Sequence, residues 1–400
     1  MAPKAAKGAV VVATSHTLGQ RMRPARAHGR SARRLPVAAL LALGAVVVIA
    51  SGSASAAALP EDRADAMYHY YNGGGTKVDG PALLVREGVG DKTSVQASYY
   101  TDSVSGASID VVTTASPYKD KRDEYGISAD YLYRDSVLSA SFTTSRESDY
   151  FADTYGFNVT QDLMDGLTTL SLGYSAGHDV VLRNTDATFA RTIDRYQYRL
   201  GLSQVITKSL IMSLNYEVIA DDGYLNNPYR SARVLGSAVP EKYPLTRDSH
   251  AVALQLRQGL DLYAKQELRS AVQFDYRLFW DTWDINANTL EIGYHQYFGK
   301  RLLADVHYRY YSQNKAVFYS DSFPGEFLYM ARDKELSTFS DHSLGFKVSY
   351  RWVDRGSFKF SQSFAYDYLK FNYDDFTDVR TGEPYSFKAS TAQLFLSFWY

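Results

Sequence analysis

Two places in this 400-residue chain gather side chains able to do chemistry. His295 and His307 fall on the same parity of two adjacent alternating segments, with Glu291, Asp305 and Arg309 close by. Imidazole beside carboxylate suits proton transfer or metal binding, since histidine titrates near neutrality and offers a ring nitrogen as ligand. The competing reading is a polar wall in which neighbours satisfy each charge, and it is preferred here. The second place is Asp281 and Asp284, which bracket Trp283. That spacing offers two carboxylates to a cation, but no glycine-centred ligand loop follows, so a turn-forming or rim role is expected. No Ser/His or Asp/His hydrolase arrangement is recognisable from spacing. The chain has no cysteine, which removes disulfides, thiolate metal sites and a lipid-modified N-terminal cysteine.

The elements that must position these residues alternate with period two. From residue 62 onward, segments of about ten residues carry apolar or aromatic side chains on one parity, as half-exposed strands do. Tyr125, Ile127, Ala129, Tyr131 and Tyr133 form one set, answered across a tight turn by Leu138, Ala140 and Phe142. Tyr196, Tyr198, Leu200 and Leu202 are followed by Leu210, Met212, Leu214, Tyr216 and Val218. The same pattern recurs to the C-terminus.

Connections alternate in length. Short turns at 88–92, 134–136, 161–166, 207–209, 261–264, 298–300 and 353–356 interleave with longer segments near 102–122, 145–150, 178–190, 221–249, 280–284, 312–342 and 372–386. A first hairpin, Ala66 to Val85 about Gly73-Gly74-Gly75, completes an even count. The expectation is an all-β, antiparallel, up-and-down transmembrane barrel of about sixteen strands, with short periplasmic turns and long external loops.

The opposite parity holds the charges: Arg195, Arg199, Glu217, Arg257, Glu267, Arg269, Asp275, Arg277, Glu291, His295, Asp305, His307, Arg309, Lys347, Arg351, Lys359 and Asp367. These are the candidate lumen-lining residues, nine Arg or Lys against six acids. Asp153, Asp194 and Lys388 sit on the apolar parity, near expected strand ends, where a charge on the lipid side costs little. A soluble sandwich would bury its apolar face in aliphatics. Here that face is loaded with Tyr near its ends, which suits rings at a membrane interface. The chain holds 33 Tyr and 20 Phe, yet its mean hydropathy is −0.30.

The two ends fit the same picture. Residues 1–58 carry eight basic residues and no acidic one, then an apolar run from Leu35 to Ala50 and small residues through Ala58. This reads as a cleaved signal peptide, with 59–400 as the barrel. Met22-Arg23 offers a more ordinary start, so the first 21 residues fit an extension. Without the leader, 35 basic residues remain of 43 against 44 acidic ones, a net charge of −9, and nothing points to nucleic acid. At the other end Leu394, Leu396, Phe398 and Tyr400 alternate to a terminal aromatic, which resembles the signal read by the barrel assembly machinery.

Several strings also resemble an uncharacterised bacterial family, domain-of-unknown-function family 3570. They are Glu61-Asp62-Arg63-Ala64-Asp65 with Met67-Tyr68-His69, Asp79-Gly80-Pro81, residues 107–117 (Ala107 to Pro117), Leu225-Asn226-Asn227-Pro228-Tyr229-Arg230, Asp281-Thr282-Trp283, residues 308–313 (Tyr308 to Gln313) and residues 331–339 (Ala331 to Phe339). The resemblance implies an outer-membrane barrel and carries over no activity or site.

Three functions follow as expectations. The first is a water-filled pore for small hydrophilic solutes with a weak anion preference, since sixteen strands enclose a lumen unless something fills it; no plug domain precedes the first strand, which argues against an energy-coupled transporter. The second is a non-conducting scaffold or docking barrel, with loops 221–249 and 312–342 folding inward or meeting a partner. The third, a membrane-embedded enzyme, rests on the histidine pair alone, and the chain is read as not an enzyme. Expected partners are outer-membrane lipid, the assembly machinery and solutes.

Overall fold

A computed structural model describes residues 58–106, 118–260 and 269–400. The signal-peptide reading, the 107–117 string, Glu267 and the 261–264 turn lie outside them. Sixteen antiparallel strands close on themselves. They are β1 (Arg63–Gly73), β2 (Thr76–Val89), β3 (Thr93–Gly106), β4 (Tyr118–Tyr133), β5 (Ser136–Arg146), β6 (Tyr150–Leu163), β7 (Thr168–Leu182), β8 (Ala190–Val205) and β9 (Leu210–Gly223). After a small hairpin of β10 (Ser231–Val234) and β11 (Ser237–Pro240) come β12 (Thr246–Leu260), β13 (Ser270–Asp281), β14 (Asn286–Phe298), β15 (Leu302–Gln313), β16 (Phe339–Arg355), β17 (Phe358–Thr377) and β18 (Pro384–Trp399). The hairpin β10–β11 stands apart from the wall.

The first turn shows why the chain reverses where it does. Gly74 and Gly75 have φ of +58° and +82°, the pair of left-handed residues that matches the twist of a two-residue hairpin. Closure is made by β1 against β18, in register from Arg63↔Trp399 to Gly73↔Ala389. Tyr400, just past β18, has its hydroxyl within donating distance of the Glu87 carboxylate, at 3.0 Å, or the Arg86 carbonyl, at 3.1 Å, tying this end of the chain to the first hairpin. Phe398 stacks on Phe360 at 4.6 Å, and Leu394 and Leu396 share its outward face.

The aromatic and aliphatic parity faces out. Tyr125, Ile127, Tyr131 and Tyr133 are exposed, as are Leu344, Phe346 and Val348, whereas their alternate neighbours are buried or half-buried. Phe157 and Leu172 are each 61% exposed, which only lipid makes tolerable in so continuous a belt. Among the described residues no second sheet lies against it. Asp153 holds the outward parity near the start of β6, as read, but is covered there, 3% exposed, with Arg146 at 2.6 Å and the Thr144 hydroxyl on its carboxylate. Asp194 is half-exposed and pairs with His178 at 2.6 Å, and Lys388 is exposed near the start of β18, as placed from sequence.

Candidate pore lining and mouth

Cross-strand register puts the predicted lining on one face. One row runs Asp275↔Glu291↔Arg309↔Ser343, the next Gln273↔Gly293↔His307↔Gly345↔Asp367, the next Ala271↔His295↔Asp305↔Lys347. His295 Nδ1 meets Asp305 at 2.6 Å while its Nε2 lies 3.3 Å from the Gln273 amide oxygen. His307 reaches across β16 to Asp367 at 2.8 Å. That reach needs Gly345, because a Cβ there would overlap both the Asp367 carboxylate and the His307 ring. The two histidines therefore serve separate carboxylates, the arrangement of a satisfied wall.

Further along, Glu217 is shared by Arg199 at 3.4 Å, Arg277 at 3.7 Å and the Gln197 amide at 2.9 Å. Arg257 donates to the Gln273 amide oxygen at 2.7 Å, and that amide donates in turn to Asp275. Lys347 lies over the Phe395 ring at 5.3 Å. Arg351 and Arg269 sit at the end that carries the termini, the first paired with Asp354 at 2.9 Å, the second over Tyr297 at 5.2 Å. The Arg199 side chain is 64% exposed. From β3 to β7 the mid-height wall is small, with Ser98, Gly126, Ser141, Gly156, Asn158 and Gly173 on inward positions.

Nearer the loops the wall changes character. Arg195 lies between Asp221 at 2.8 Å and Asp179 at 3.7 Å, and Tyr150 donates its hydroxyl to Asp179. Arg247, beside Asp221 in register, grips Asp281 at 2.6 and 2.7 Å and lies 4.2 Å over the Trp283 ring. Asp281 also accepts the backbone N–H of Trp283 and of Ile285, each at 2.9 Å. It forms the turn as expected, with Asp284 at φ 70°, and its two oxygens are spent. Arg309 meets Asp341 at 3.6 Å. Asp179, Asp221 and Asp341 are inward acids that the sequence reading passed over; each is 1% exposed.

At this same end the chain's own loops pack into the mouth. Phe279, Phe339, Phe371 and Tyr373, aromatic residues on the inward parity, pack with Trp283, Phe318, Leu336 and Phe376 into one buried cluster inside the mouth. Loops 224–245 and 314–338 join through bridges Lys242↔Met330 and Val234↔Phe323. The β10–β11 hairpin adds Ala232 and Val234 to Phe323 and Met330. At the junction Glu241 accepts the Arg332 N–H at 2.6 Å and the Tyr243 hydroxyl at 2.9 Å, while Arg230 holds Asp333 at 2.7 Å. Burial, helped by the Asp333 charge, pushes the Glu241 carboxyl up to about 7. Sequence alone showed the loops to be long; the signal for their docking was the switch of aromatics to the inward parity at 279, 339, 371 and 373.

Among the described residues, Asp120, Glu147 and Asp149 bring three carboxylates within 4.8 Å of one another, at this same end. Asp149 already takes the Tyr229 hydroxyl and, at 3.0 Å, the Asn184 amide, so the trio tethers loops.

A closed sixteen-stranded antiparallel barrel with an exposed apolar belt and a polar inner wall is an outer-membrane β-barrel. Residues 184–370 match the model of the family described as protein of unknown function (DUF3570). The strings at 225–230, 281–283, 308–313 and 331–339 fall inside the match; those before residue 118 fall outside it. No curated protein matches the chain in sequence. Among solved structures it is similar to a bacterial polysaccharide outer membrane secretin, at 8% identity and TM-score 0.50 over 84% of this chain and 98% of that one. It is also similar to the outer membrane protein opdK from Pseudomonas aeruginosa, at 9% identity and TM-score 0.42 over 84% and 98%. The siderophore receptor PirA from Pseudomonas aeruginosa gives 8% identity and TM-score 0.40 over 85% and 81%. At these identities the likeness concerns the fold.

Proposed function

We propose that the barrel is a passive pore for small hydrophilic solutes, narrowed at its mouth by loops 224–245 and 314–338. The observation that carries this is the inner wall below the loop body: the exposed Arg199 stands beside the small Ser, Gly and Asn positions of β3–β7, which favours a water-filled passage. A weak preference for anions follows from Arg199 and Arg257, both exposed, while the inward acids Asp179, Asp221 and Asp341 are buried. The histidines support a wall and not an active site, since each is engaged by its own carboxylate. The C-terminal strand, open to recognition before β1 closes on it, is the segment proposed to engage the assembly machinery.

The packed mouth favours a second reading, a closed scaffold that conducts nothing until the loops move. Planar-bilayer recording of the refolded barrel separates the two: steps of conductance with a reversal potential on the anion side are expected. Cation selectivity rejects the preference. A silent barrel that stays silent after deletion of residues 231–240 rejects the pore.

A further inference from the structure

On the outer face, Lys370 and Lys388 are register partners on β17 and β18, with both side chains exposed. Directly opposed like charges destabilise a strand pair unless an anion lies between them. Neither lysine has a carboxylate partner among the described residues. His342, the partner of Lys370 on β16, takes the Tyr308 hydroxyl at 2.7 Å and packs on Tyr310 at 5.0 Å. Tyr310 in turn lines a cleft of about 490 Å³ on the loop side of this row, with Asn288, Ser312, Asn314 and Ser340. Amides and hydroxyls beside an aromatic ring are the groups that bind sugar hydroxyls. Asp374 closes the cleft, so a phosphate belongs at the lysines and not within it. On the terminus side of the lysines the same strands present Leu344, Phe346 and Tyr368 to hydrocarbon.

We propose that this face holds a phosphorylated saccharide lipid of the surrounding leaflet. Its sugar occupies the cleft, its phosphate sits between Lys370 and Lys388, and its acyl chains lie on Leu344 and Phe346. The order of sugar, phosphate and acyl chain along the wall matches the order of cleft, cations and apolar belt.

The test uses the full barrel in nanodiscs, with native mass spectrometry to count bound lipid. The probes are a bisphosphorylated lipid A-type glycolipid, its dephosphorylated form, phosphatidylglycerol and inorganic phosphate. The wild type is expected to retain the phosphorylated glycolipid best. The double variant Lys370→Ala/Lys388→Ala should weaken retention by about tenfold or more, the scale of one lost charge-assisted hydrogen bond. Ser340→Trp, which fills the cleft without changing charge, should weaken it similarly. Unchanged heat-modifiable mobility and conductance show that the variants are folded. Equal retention by the double variant overturns the proposal, as does equal binding of phosphatidylglycerol, or full displacement by millimolar inorganic phosphate.

Discussion

Arg247 shows how much can hang on one side chain in this barrel. It sits on an inward wall position, yet 3% exposed, with its charge met by Asp281 and its flat face on Trp283. Removing one member of a buried ion pair leaves the other desolvated and uncompensated, at a cost of about 3–5 kcal/mol. Arg247→Ala is expected to lose that much in urea unfolding of the refolded barrel. Arg247→Met with Asp281→Asn should recover part of it, because both charges are then gone. The His307, Gly345 and Asp367 bridge belongs to the same scale: the two ionisable partners were legible as inward residues, but that they meet was not. They lie on strands once removed, and only the missing side chain at Gly345 lets them touch.

At the scale of elements the loop body is the feature with consequences. Its junction carboxyl, Glu241, has a higher pKa when packed than the ordinary 4.5, so the packed state binds a proton that a free loop releases. Packing is therefore strongest below about pH 4.5 and weakens as pH rises through the window up to about 7. Hydrogen exchange across residues 224–245 should accelerate over that window. Glu241→Gln should remove the pH slope while keeping the protection. Loss of protection on acidification in the wild type would contradict this. These loops were recognisable as long connections because turn residues and broken alternation mark them. The inward aromatics at 279, 339, 371 and 373 mark that something docks there, but not which residues meet, since Val234 meets Phe323 and Lys242 meets Met330 across nearly ninety residues with no periodic signature.

For the whole molecule, the membrane supplies the outer solvent, and the wall must present it with apolar groups at mid-height. Leu172, 61% exposed between Val159 and Leu200, occupies such a place. Leu172→Arg is expected to destabilise the lipid-embedded barrel by about 2–4 kcal/mol. In folding titrations from urea into lipid vesicles, a change near zero would mean that this face does not meet hydrocarbon. Ser171→Arg, one residue away and pointing inward, should cost far less.

The strand count, the face each residue takes and the membrane-facing belt were determined by the sequence itself, because a period of two and the hydrophobic effect act on every strand locally. Asp153 keeps its outward parity, but Arg146 and Thr144 cover its carboxylate, a contact that alternation cannot announce. Tertiary structure alone decided which inward charges meet, and that Asp179, Asp221 and Asp341 are buried in the wall. It decided too that five strands, β14 to β18, bring together a cleft, a lysine pair and an apolar strip. Those are properties of register and closure, in which residues far apart in the chain become neighbours, and no local pattern encodes them.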